Sequence, residues 1–546
     1  MDFALVGRNI TTPEAADGFR SPRLSNLHSP FLLKDMDAAV ERICLALQRQ
    51  EPMLLYGDYD VDGISGIALL YLFLSALGAE VSFHIPDRLT EGYGLHRDTL
   101  QLMRERGIRL VITVDCGSSD REQVRFARQH GIDVIITDHH EVPPELPPAN
   151  AVLNPKRPDC SFPFDGLAGV GVAFNLLMAL RTRLRERQFF AGRAEPNLRE
   201  YLDLVALGTV TDLVPLLGEN RSLVRAGLSH IHRPQRQGVL SLIGVSGLVP
   251  SQITAGDIAF MLGPRLNAAG RLDSALAAFN LLTTSDPAQA SRYAQQLNIQ
   301  NNERQRITRE IQARSEQLVF SETPDPILLF AIDPDFNPGV VGLAASRLTE
   351  LYYRPAIVAA QGDEFTRGSC RSIPEFHITE ALDQCADLLH HYGGHAAAAG
   401  FTIHNGLLPE FINRLKQIAT DQLDTVDLRP MLHIDAEVDL TQLRADLLQD
   451  LSLLQPTGMA NRSALFLTHN ALLKSQRAIG KDNAHLKLLL EDTRHVSHDA
   501  IAFRMGNLAG GLPNRVDLVF AFEKNEYNGQ SYLQLNVRDI RPAGTF

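Results

Sequence analysis

The sequence predicts an α/β protein with a parallel sheet, a long helix, a second α/β unit and a small β-barrel, in that order. In the first third, short apolar runs alternate with helical stretches, the pattern of strand–helix–strand units. A polar helical stretch follows, and near the C-terminal end the apolar period becomes two. With 546 residues, 45% apolar and 21% charged, the composition excludes a collagen, a disordered tail and a disulfide-stabilised miniprotein.

Five apolar runs are predicted to be strands of one parallel sheet with helices on both faces. The predicted strands are Met53–Tyr56, Glu80–Ile85, Leu110–Val114, Val134–Thr137 and Ala151–Leu153. The predicted helices between them are Ile64–Leu77, His96–Arg106 and Asp120–His130. Because such sheets carry their chemistry at the carboxyl ends of the strands, the polar residues that follow each strand are the first candidates for a site.

The rest of the chain divides into three predicted parts. Asp286–Glu316 is polar, lacks Gly and has no Pro after Pro287, and predicts a long exposed helix. A second α/β unit is predicted from Ile327–Ile332 (strand), Val340–Leu351 (helix) and Ala356–Ala360 (strand). Alternating apolar residues in Leu432–Val438, Val516–Phe522 and Leu533–Val537 predict a mostly antiparallel barrel, with Asn528-Gly529 as a hairpin turn.

The net charge and the spacing of the cysteines disfavour several kinds of protein. The net charge of −12, taken alone, argues against bulk nucleic-acid affinity. Basic residues are nevertheless concentrated at Arg181–Arg187 and at Arg304–Arg314, which predicts a local basic track. The five cysteines lie far apart without a C-x-x-C pair, which disfavours a structural zinc site or a disulfide framework. With no visible secretory signal or membrane span, we expect a cytoplasmic protein.

An acidic run directly follows the first predicted strand. Gly57-Asp-Tyr-Asp-Val-Asp-Gly63 places Asp58, Asp60 and Asp62 within five residues, and like-charged carboxylates packed together need cations. A solvated acidic turn is the alternative, as is a calcium loop. An EF-hand needs Glu at its twelfth position, where this chain has Leu69.

Further acidic residues and histidines follow later apolar runs. Each of these motifs alone could be a helix cap or a polar turn. Together they predict a convergent set of six carboxylates and two imidazoles, enough for two divalent ions that act on a phosphodiester. The set is Asp58, Asp60, Asp62, Asp115, Asp138, His139, His140 and Asp212.

These motifs resemble the four motifs of the DHH phosphoesterase superfamily. Others resemble the RecJ family of single-strand-specific exonucleases, in one register from Leu54 to Phe401, and the terminal β module is similar to that family's OB-fold. The motifs are Arg88 with Glu91–Gly94, Gly263–Arg271, Pro338–Gly342, Gly368–Ser372 and Gly393–Gly400. The resemblance implies a DHH catalytic domain with a helical extension (1–285), a connecting helix (286–320), a DHHA1-like substrate-binding domain (321–428) and an OB-fold barrel (429–546).

The resemblance also implies an activity: a 5′→3′ exonuclease that hydrolyses single-stranded DNA to 5′-mononucleotides in recombination and repair. It implies two ions, Mn²⁺ or Mg²⁺, as cofactors. It implies single-stranded DNA as the partner, with single-strand-binding protein and a helicase as candidate protein partners, for a monomer away from membranes. Two alternatives stay open: a DHH phosphodiesterase for short oligonucleotides or cyclic dinucleotides, and a non-catalytic DNA-binding scaffold.

Site roles follow from the resemblance, position by position. The implied metal ligands are Asp58, Asp60, Asp62, Asp115, His139 and Asp212. Asp138 and His140 complete the catalytic set, behind the ligands or against the scissile phosphate. Arg88, Ser369 and Arg371 are implied to hold the 5′-terminal phosphate, a role that suits the planar donor fork of arginine.

Further residues are predicted to contact the substrate, although most of their residue types also suit a structural role. Gly394 suits a backbone phosphate nest, and His395 is either a phosphate donor or a structural histidine. Arg265, Asn267 and Arg271 are predicted in one loop, where they contact either the strand or the long helix.

Two segments depart from the family pattern. Phe336-Asn337 stands where the family often has Trp-His, and Pro456-Thr-Gly-Met-Ala-Asn-Arg462 replaces a Pro-Phe-Gly…Asn-Pro stretch. Both lie outside the predicted metal set, so they bear on strand binding rather than on the chemistry. Because the chain has no Trp, stacking on bases must use Phe, Tyr or Arg.

Overall fold

Five parallel strands form the first sheet of the computed structural model, which describes residues 2–8, 10–88, 90–527 and 530–545. In the order β2-β1-β3-β4-β5, they are β1 (Met53–Gly57), β2 (Val81–His84), β3 (Leu110–Val114), β4 (Asp133–Thr137) and β5 (Ala151–Leu153). The register pairs Gly57 with Val114 and Val114 with Thr137, so these three strands end level with one another. The residues that follow them therefore emerge at one edge of the sheet. The predicted fold class and these strands are confirmed.

Helices cover both faces of this sheet. Val61–Ala76 is apolar on nearly every side because it lies between the sheet and two further helices, Gly169–Glu186 and Leu202–Thr211. On the opposite face, Arg97–Glu105 and Arg121–Gln129 each bury one apolar stripe. Two helices, Asp2–Val6 and Pro13–Arg20, precede this lobe in sequence. The other helices of the lobe are Met36–Arg49, Gly218–Ile231, Gln237–Val245, Ala255–Asp257 with its π-helical continuation Ile258–Leu262, Gly263–Leu272 and Leu276–Thr283.

A single helix of 36 residues, Pro287–Glu322, connects this lobe to the second unit and confirms the predicted long helix. At 1.5 Å per residue it spans roughly 54 Å. Asp286 caps its first turn by accepting a hydrogen bond from the Ala288 amide (2.8 Å). Among the described residues, no helix combines the length and the apolar character needed to cross a bilayer.

The second unit is a mixed sheet in the order β6-β7-β8-β10-β9. Its strands are β6 (Leu329–Asp333), β7 (Ala356–Gln361), β8 (Phe365–Arg371), β9 (Leu389–His395) and β10 (Ala398–His404). Its helices are Val341–Tyr352, Ile378–Asp383 and Leu408–Leu423. The register aligns Arg371 of β8 with Ala398 of β10, and Ala398 with His395 of β9, which puts these three residues on one face.

The C-terminal region closes into a five-stranded barrel, because β12 pairs with both β13 and β15. Its elements are β11 (Ala436–Glu437), the helix Ala445–Ser452, β12 (Phe466–Ile479), β13 (His485–Glu491), β14 (Ser497–Ala502), β15 (Arg515–Tyr527) and β16 (Gln530–Pro542). The strand predicted over Leu432–Val438 is wrong apart from β11. Leu432 and Ile434 are exposed, so no neighbouring strand buries their side chains. The predicted turn Asn528-Gly529 lies outside the described residues.

The N-terminal segment packs on this barrel rather than on the sheet that follows it in sequence. Ala4, Leu5 and Phe19 belong to the barrel's core cluster. Arg8 pairs with Asp435 (3.1 Å) and donates to Asn461 Oδ1 (3.0 Å). The N-terminal segment, in which the sequence shows no interpretable motif, is therefore part of the barrel's core.

One buried arginine joins three parts of the chain. Arg221, in the helix Gly218–Ile231, is 1% exposed and donates to the carbonyl oxygens of Phe19, Leu453, Leu454 and Pro456. Its guanidinium also lies 3.9 Å from the centre of the Phe19 ring. Because these acceptors belong to the N-terminal segment and the barrel, Arg221 holds both against the lobe that contains the first sheet.

Candidate metal centre and phosphate pocket

The acidic motifs converge at the carboxyl edge of the first sheet. Asp58 follows β1, Asp115 follows β3, and Asp138-His139-His140 follows β4. Asp212 arrives from the end of the helix Leu202–Thr211. Asp115 has a positive φ of 63°. A Cβ on Gly169 would lie 2.7 Å from the Asp115 Cβ, so the close approach of the helix Gly169–Glu186 to Asp115 requires glycine at its first position.

Ligand atoms from these residues fall into three overlapping groups, each with its members within 4.8 Å of one another. The groups are Asp115, His139 and His140; Asp62, His139 and Asp212; and Asp58, Asp60 and Asp115. His139 Nε2 lies 3.1 Å from Asp115 Oδ1 and 3.4 Å from Asp212 Oδ2. We call the seven residues of these groups the acidic cluster.

Several of these atoms are buried without a hydrogen-bond partner among the described residues. They are Asp58 Oδ1, Asp115 Oδ1, His139 Nε2 and Asp212 Oδ2. Buried polar atoms are normally paired, so four orphaned acceptor-type atoms that face one another fit a bound cation. His139 also hydrogen-bonds the Leu167 backbone, which leaves Nε2 directed at the carboxylates. A mixed carboxylate and imidazole set suits Mn²⁺ or Mg²⁺.

Burial and the repulsion between carboxylates raise the pKa values of Asp58, Asp62, Asp115 and Asp212. Burial and then the Asp60 carboxylate raise the pKa of Asp62 to about 7. Burial and the charge of Asp62 raise the pKa of Asp212 to about 10, and the same two causes hold the pKa of Asp115 well above its ordinary value. Burial, helped by the charge of His140, lowers the pKa of His139 to about 3, so this imidazole is neutral and able to ligate.

Asp138 belongs to none of the three ligand groups and organises its own loop. Its carboxylate accepts hydrogen bonds from the amides of Ser118 (2.9 Å), His139 (2.8 Å) and His140 (3.2 Å), and from His140 Nδ1 (2.8 Å). Burial opposes its ionisation, but the hydrogen bond and charge of His140 outweigh burial and lower the pKa of Asp138. His140 is thereby held at the rim of the acidic cluster.

In the metal-free protein, Asp212→Asn is expected to raise the midpoint of thermal unfolding, by an amount that grows from about pH 5 to about pH 8. The pKa of Asp212 is about 10 in the folded state against 3.8 in the unfolded chain. Between these values only the unfolded chain loses the proton, so stability falls as the pH rises. Asparagine does not titrate, so the variant does not lose stability in this way. Thermal unfolding in EDTA at several pH values measures the difference, and a difference independent of pH would contradict the prediction.

A second set of residues forms a cationic pocket beside the acidic cluster. Ser369 and Arg371 lie on one face of β8, and the N-terminus of the helix Val341–Tyr352 packs against them. A Cβ on Gly342 would lie 3.1 Å from Arg371 Nη2 and 3.3 Å from Ser369 Oγ. Arg88 lies 5.1 Å from the centre of the Tyr59 ring, next to Asp58 and Asp60. The free N–H groups of a helix N-terminus, together with arginine guanidinium groups and a hydroxyl, are suited to bind an anion such as phosphate.

Arg271 joins this pocket. Its pKa is lowered to about 9, first by burial and then by the charges of Arg88, Arg304 and Arg371. Arg271 Nη1 reaches the Gly339 carbonyl oxygen at 3.5 Å. The positive charges of Arg88, Arg304 and Arg371 thus act on Arg271, and Asp60 offsets them in part, so the pocket is suited to an anion.

The loop predicted for Gly263–Arg271 is a helix, Gly263–Leu272, and this separates the three residues assigned to it. Gly270 permits close packing, since a Cβ there would lie 2.7 Å from the Tyr59 carbonyl oxygen. Arg265 donates to Asn298 Oδ1 on the long helix (3.0 Å), and Asn267 Oδ1 accepts from the Val61 amide (3.2 Å). These two therefore support neighbouring elements in the structure, and only Arg271 faces the cationic pocket.

Gly394 and His395 lie farther out. His395 is on the same face as Arg371 but two strands away, roughly 10 Å. Gly394 has a φ of 152°, and both residues are exposed at the end of β9. The structure thus leaves His395 at the edge of the cationic pocket.

Family models match three parts of the chain. Residues 52–209 match the DHH family, N-terminal domain; residues 325–421 match the DHHA1 domain; and residues 434–539 match the RecJ OB domain. A single-stranded-DNA-specific exonuclease RecJ from Haemophilus influenzae is 36% identical over 535 residues, which cover 95% of this chain and 92% of that protein. This chain belongs to the RecJ family.

Solved structures agree with this RecJ-family membership. RecJ from Thermus thermophilus in complex with Mn²⁺ superposes with a TM-score of 0.84 and 32% identity, covering 100% of this chain and 76% of that one. The same protein in complex with Mg²⁺ gives a TM-score of 0.78 and 30% identity, covering 100% and 74%.

The basic residues predicted to form a track on Arg181–Arg187 do not face the site of this RecJ-family chain. Arg183 pairs with Asp37 (2.7 Å) and Glu41 (3.1 Å), Arg181 and Arg185 pair with Glu195, and Arg187 pairs with Glu41. Their carboxylate partners lie on other elements of the fold, which composition does not reveal. These arginines also lie at the far end of the helix that contacts Asp115 through Gly169, at least about 18 Å along its axis.

Two residues without a predicted role lie at the site. The Tyr93 hydroxyl reaches the Asp115 carbonyl oxygen and His140 Nδ1, both at 3.1 Å. Lys156 follows β5, pairs with Glu141 (3.0 Å) and acts electrostatically on His139 and Asp212. Tyr93 stands within Glu91–Gly94, and Lys156 lies just past the fifth strand, so the rule that polar residues after strands mark the site would have identified Lys156.

Proposed function

We propose that this chain is a metal-dependent 5′→3′ exonuclease that hydrolyses single-stranded DNA and releases 5′-mononucleotides in recombination and repair. The observation that carries the proposal is the acidic cluster with orphaned buried ligand atoms beside a cationic pocket. Membership of a family whose relatives are named single-stranded-DNA-specific exonucleases supports it.

The proposed ligands are Asp58, Asp60, Asp62, Asp115, His139 and Asp212. Two divalent ions, Mn²⁺ or Mg²⁺, would supply a hydroxide at neutral pH and neutralise the oxygens of an in-line displacement. The Asp62 carboxylate accepts hydrogen bonds from the amides of Gly169 (2.6 Å) and Val170 (2.9 Å) at the start of a helix. These donors favour its ionised form and orient it within the cluster.

Asp138 and His140, the two catalytic residues that are not among the proposed metal ligands, are proposed to position the scissile phosphate. Asp138 fixes His140 through the hydrogen bond to Nδ1, and the Tyr93 hydroxyl lies 3.1 Å from the same nitrogen, with its ring edge-on to the imidazole. His140 is about 40% exposed, so its free edge is available to a phosphate oxygen. Burial acts to lower the pKa of His140, but the hydrogen bond to Asp138 outweighs burial and raises the pKa. The ring is therefore a suitable proton donor near neutral pH.

The cationic pocket is proposed to bind the 5′-terminal phosphate through Arg88, Ser369 and Arg371, with Arg271 behind them. Gly394 and His395 are proposed to contact the strand at the pocket edge. Arg265 and Asn267 are proposed to act indirectly, through the elements they support. A 5′-terminal phosphate held beside the acidic cluster would present the bonds nearest the strand end to the metal ions, which would make the enzyme an exonuclease.

Domain division and partners complete the proposal. The catalytic, connecting, substrate-binding and OB units are proposed at 1–285, 286–320, 321–428 and 429–546. A monomer in the cytoplasm is proposed, with single-strand-binding protein and a helicase as partners. The barrel weighs against a phosphodiesterase restricted to short oligonucleotides or cyclic dinucleotides, because such substrates do not need an extended binding module.

The experiment is a cleavage assay on 5′- and 3′-labelled single and double strands, with Mn²⁺ or Mg²⁺. We expect mononucleotides to appear first from the 5′ end of the single strand, and no degradation in EDTA. Degradation that begins at the 3′ end would contradict the placement of the terminal phosphate at Arg88, Ser369 and Arg371.

A further inference from the structure

One lysine borders the acidic cluster, and the proposed reaction does not yet use it. Lys156 lies three residues past the end of β5, and its charge acts on His139 and Asp212. We propose that Lys156 is a further catalytic residue, whose ammonium group binds a non-bridging oxygen of the scissile phosphate. This inference rests on the proposed exonuclease function and adds a residue to its site.

The order of the strands places Lys156 on the side of the cluster away from the cationic pocket. The Asp138 amide, just past β4, donates to the Leu153 carbonyl oxygen of β5 at 3.0 Å, so β4 and β5 end side by side. β5 is the last strand in the order β2-β1-β3-β4-β5, whereas Arg88 follows β2 at the opposite end. A phosphate held at the cluster therefore has Arg88 on one side and Lys156 on the other.

The backbone of Lys156 is fixed to the loop that carries the proposed ligand His139. Asn154, which is fully buried, accepts a hydrogen bond from the Lys156 amide at 2.9 Å. The side-chain amide of Asn154 donates to the His140 carbonyl oxygen (2.9 Å) and to Ser118 Oγ (3.0 Å). This buried side chain sets the position of Lys156 relative to the acidic cluster, as a group that acts on the substrate requires.

The ammonium group is held by an ion pair that a phosphate can replace. Lys156 Nζ lies 3.0 Å from Glu141 Oε1, and the Glu141 side chain is 69% exposed. Both residues line a polar pocket of about 480 Å³, so the pair borders open space. Exposed ion pairs stabilise a fold only weakly, and lysine carries its charge on a flexible stem. A phosphate oxygen can therefore take the place of Glu141 at little cost.

The proposed reaction adds negative charge at the phosphate, where Lys156 acts. A water oxygen forms a bond to phosphorus as the bond from phosphorus to the 3′ oxygen of the terminal nucleotide breaks. One proton of the water passes to this leaving oxygen, and release of the other gives the new 5′-phosphate one more negative charge than the diester had. A fixed positive charge beside the non-bridging oxygens stabilises this growing charge in the transition state. Lys156 itself forms and breaks no covalent bond.

The test compares Lys156→Met, Lys156→Arg and Glu141→Gln in the full-length protein, with Mn²⁺ and a 5′-phosphorylated single strand. Lys156→Met is expected to lower kcat roughly 10- to 100-fold, the effect of losing a charge-assisted hydrogen bond. Lys156→Arg keeps the charge and recovers most of this loss. Glu141→Gln keeps kcat within about threefold of wild type, because it removes only a weak exposed pair. Lys416→Met is the matched control, an exposed lysine on the helix Leu408–Leu423, and keeps the wild-type kcat.

The affinity for Mn²⁺ provides a measurement that a purely structural role would not move in the same direction. The charge of Lys156 opposes the binding of a cation near Asp212 and His139. Lys156→Met is therefore expected to bind Mn²⁺ roughly threefold more tightly by calorimetry, although it turns over more slowly. A distorted fold would weaken both the metal affinity and the turnover, and that result would overturn the proposal.

Phosphorothioate strands identify the atom that Lys156 contacts. In one of the two diastereomers, sulfur replaces the non-bridging oxygen that receives the ammonium group, so this substitution slows the wild-type enzyme. The sulfur substitution and Lys156→Met are expected to be non-additive for this diastereomer and additive for the other. Additive effects for both diastereomers would overturn the proposed contact.

The outcomes separate this inference from the proposed function. If the wild-type protein degrades single strands and Lys156→Met keeps the wild-type kcat, the proposal for Lys156 is overturned and the exonuclease stands. Equal losses in Lys156→Met and Glu141→Gln would show that the ion pair itself is what matters, which would also overturn the proposal. If the wild-type protein does not degrade single strands, the proposed function fails, and the role of Lys156 fails with it.

Discussion

Asp115→Asn abolishes strand degradation, with a fall in kcat of at least roughly 10³-fold. Asp115 belongs to two of the three ligand groups and lies between Asp58 and His139, so it is the carboxylate most central to the cluster. A metal-ion contribution of several kcal/mol to charge stabilisation corresponds to rate factors of this size. Asparagine preserves the side-chain volume in a fully buried position, so the loss is chemical rather than structural.

The measurement for Asp115→Asn is single-turnover degradation of a 5′-phosphorylated single strand, together with Mn²⁺ affinity by calorimetry. Asp133→Asn is the matched control, because Asp133 begins β4 at the opposite edge of the same sheet and pairs with Arg42. The control keeps its activity. An Asp115→Asn enzyme that retains activity within tenfold of wild type would remove the metal assignment.

Arg371→Lys removes most of the preference for a 5′-phosphate over a 5′-hydroxyl. Lysine keeps the positive charge but loses the planar fork that contacts two phosphate oxygens at once. A charge-assisted hydrogen bond contributes about 1.5–3 kcal/mol, so kcat/KM on the phosphorylated strand falls roughly 10- to 100-fold. The 5′-hydroxyl strand, which lacks the ligand of this arginine, is affected much less.

Matched strands with 5′-phosphate and 5′-hydroxyl ends measure the effect of Arg371→Lys. Arg367→Lys is the control, because Arg367 lies on the same strand β8, exposed and roughly 13 Å from Arg371. Equal losses on both kinds of strand end would show that Arg371 does not read the terminal phosphate.

The strands and the acidic cluster could be predicted because their signals are local. A buried parallel strand is a short apolar run, and the residue after it emerges at a known edge of the sheet. That rule alone locates Asp58, Asp115 and Asp138. Asp212 follows a helix rather than a strand, so its arrival at the same point depends on helix packing, for which only the family resemblance gives a signal.

The wrong predictions have two causes. One is a glycine that suits both a loop and the close packing of a helix, and the other is an ion-pair partner that lies on another element of the fold. Gly263, Pro264 and Gly270 are typical of a loop, yet here Pro264 occupies the first turn of a helix and Gly270 allows contact with Tyr59. The arginines of 181–187 form a basic run in the sequence, and only the fold shows that Glu41 and Glu195 neutralise it.

The packing of Ala4, Leu5 and Phe19 into the barrel core has a consequence for synthesis of the protein. Their partners, such as Phe466 and Leu535, are made more than 440 residues later. At about 5–20 residues per second, the ribosome needs on the order of half a minute or more to cover that interval. During this time the first helices have no completed core to join, because the barrel is made after the units that precede it and closes only when Ala4, Leu5 and Phe19 return to it. The N-terminal segment and the barrel are therefore assembled together, after the lobe between them has been made.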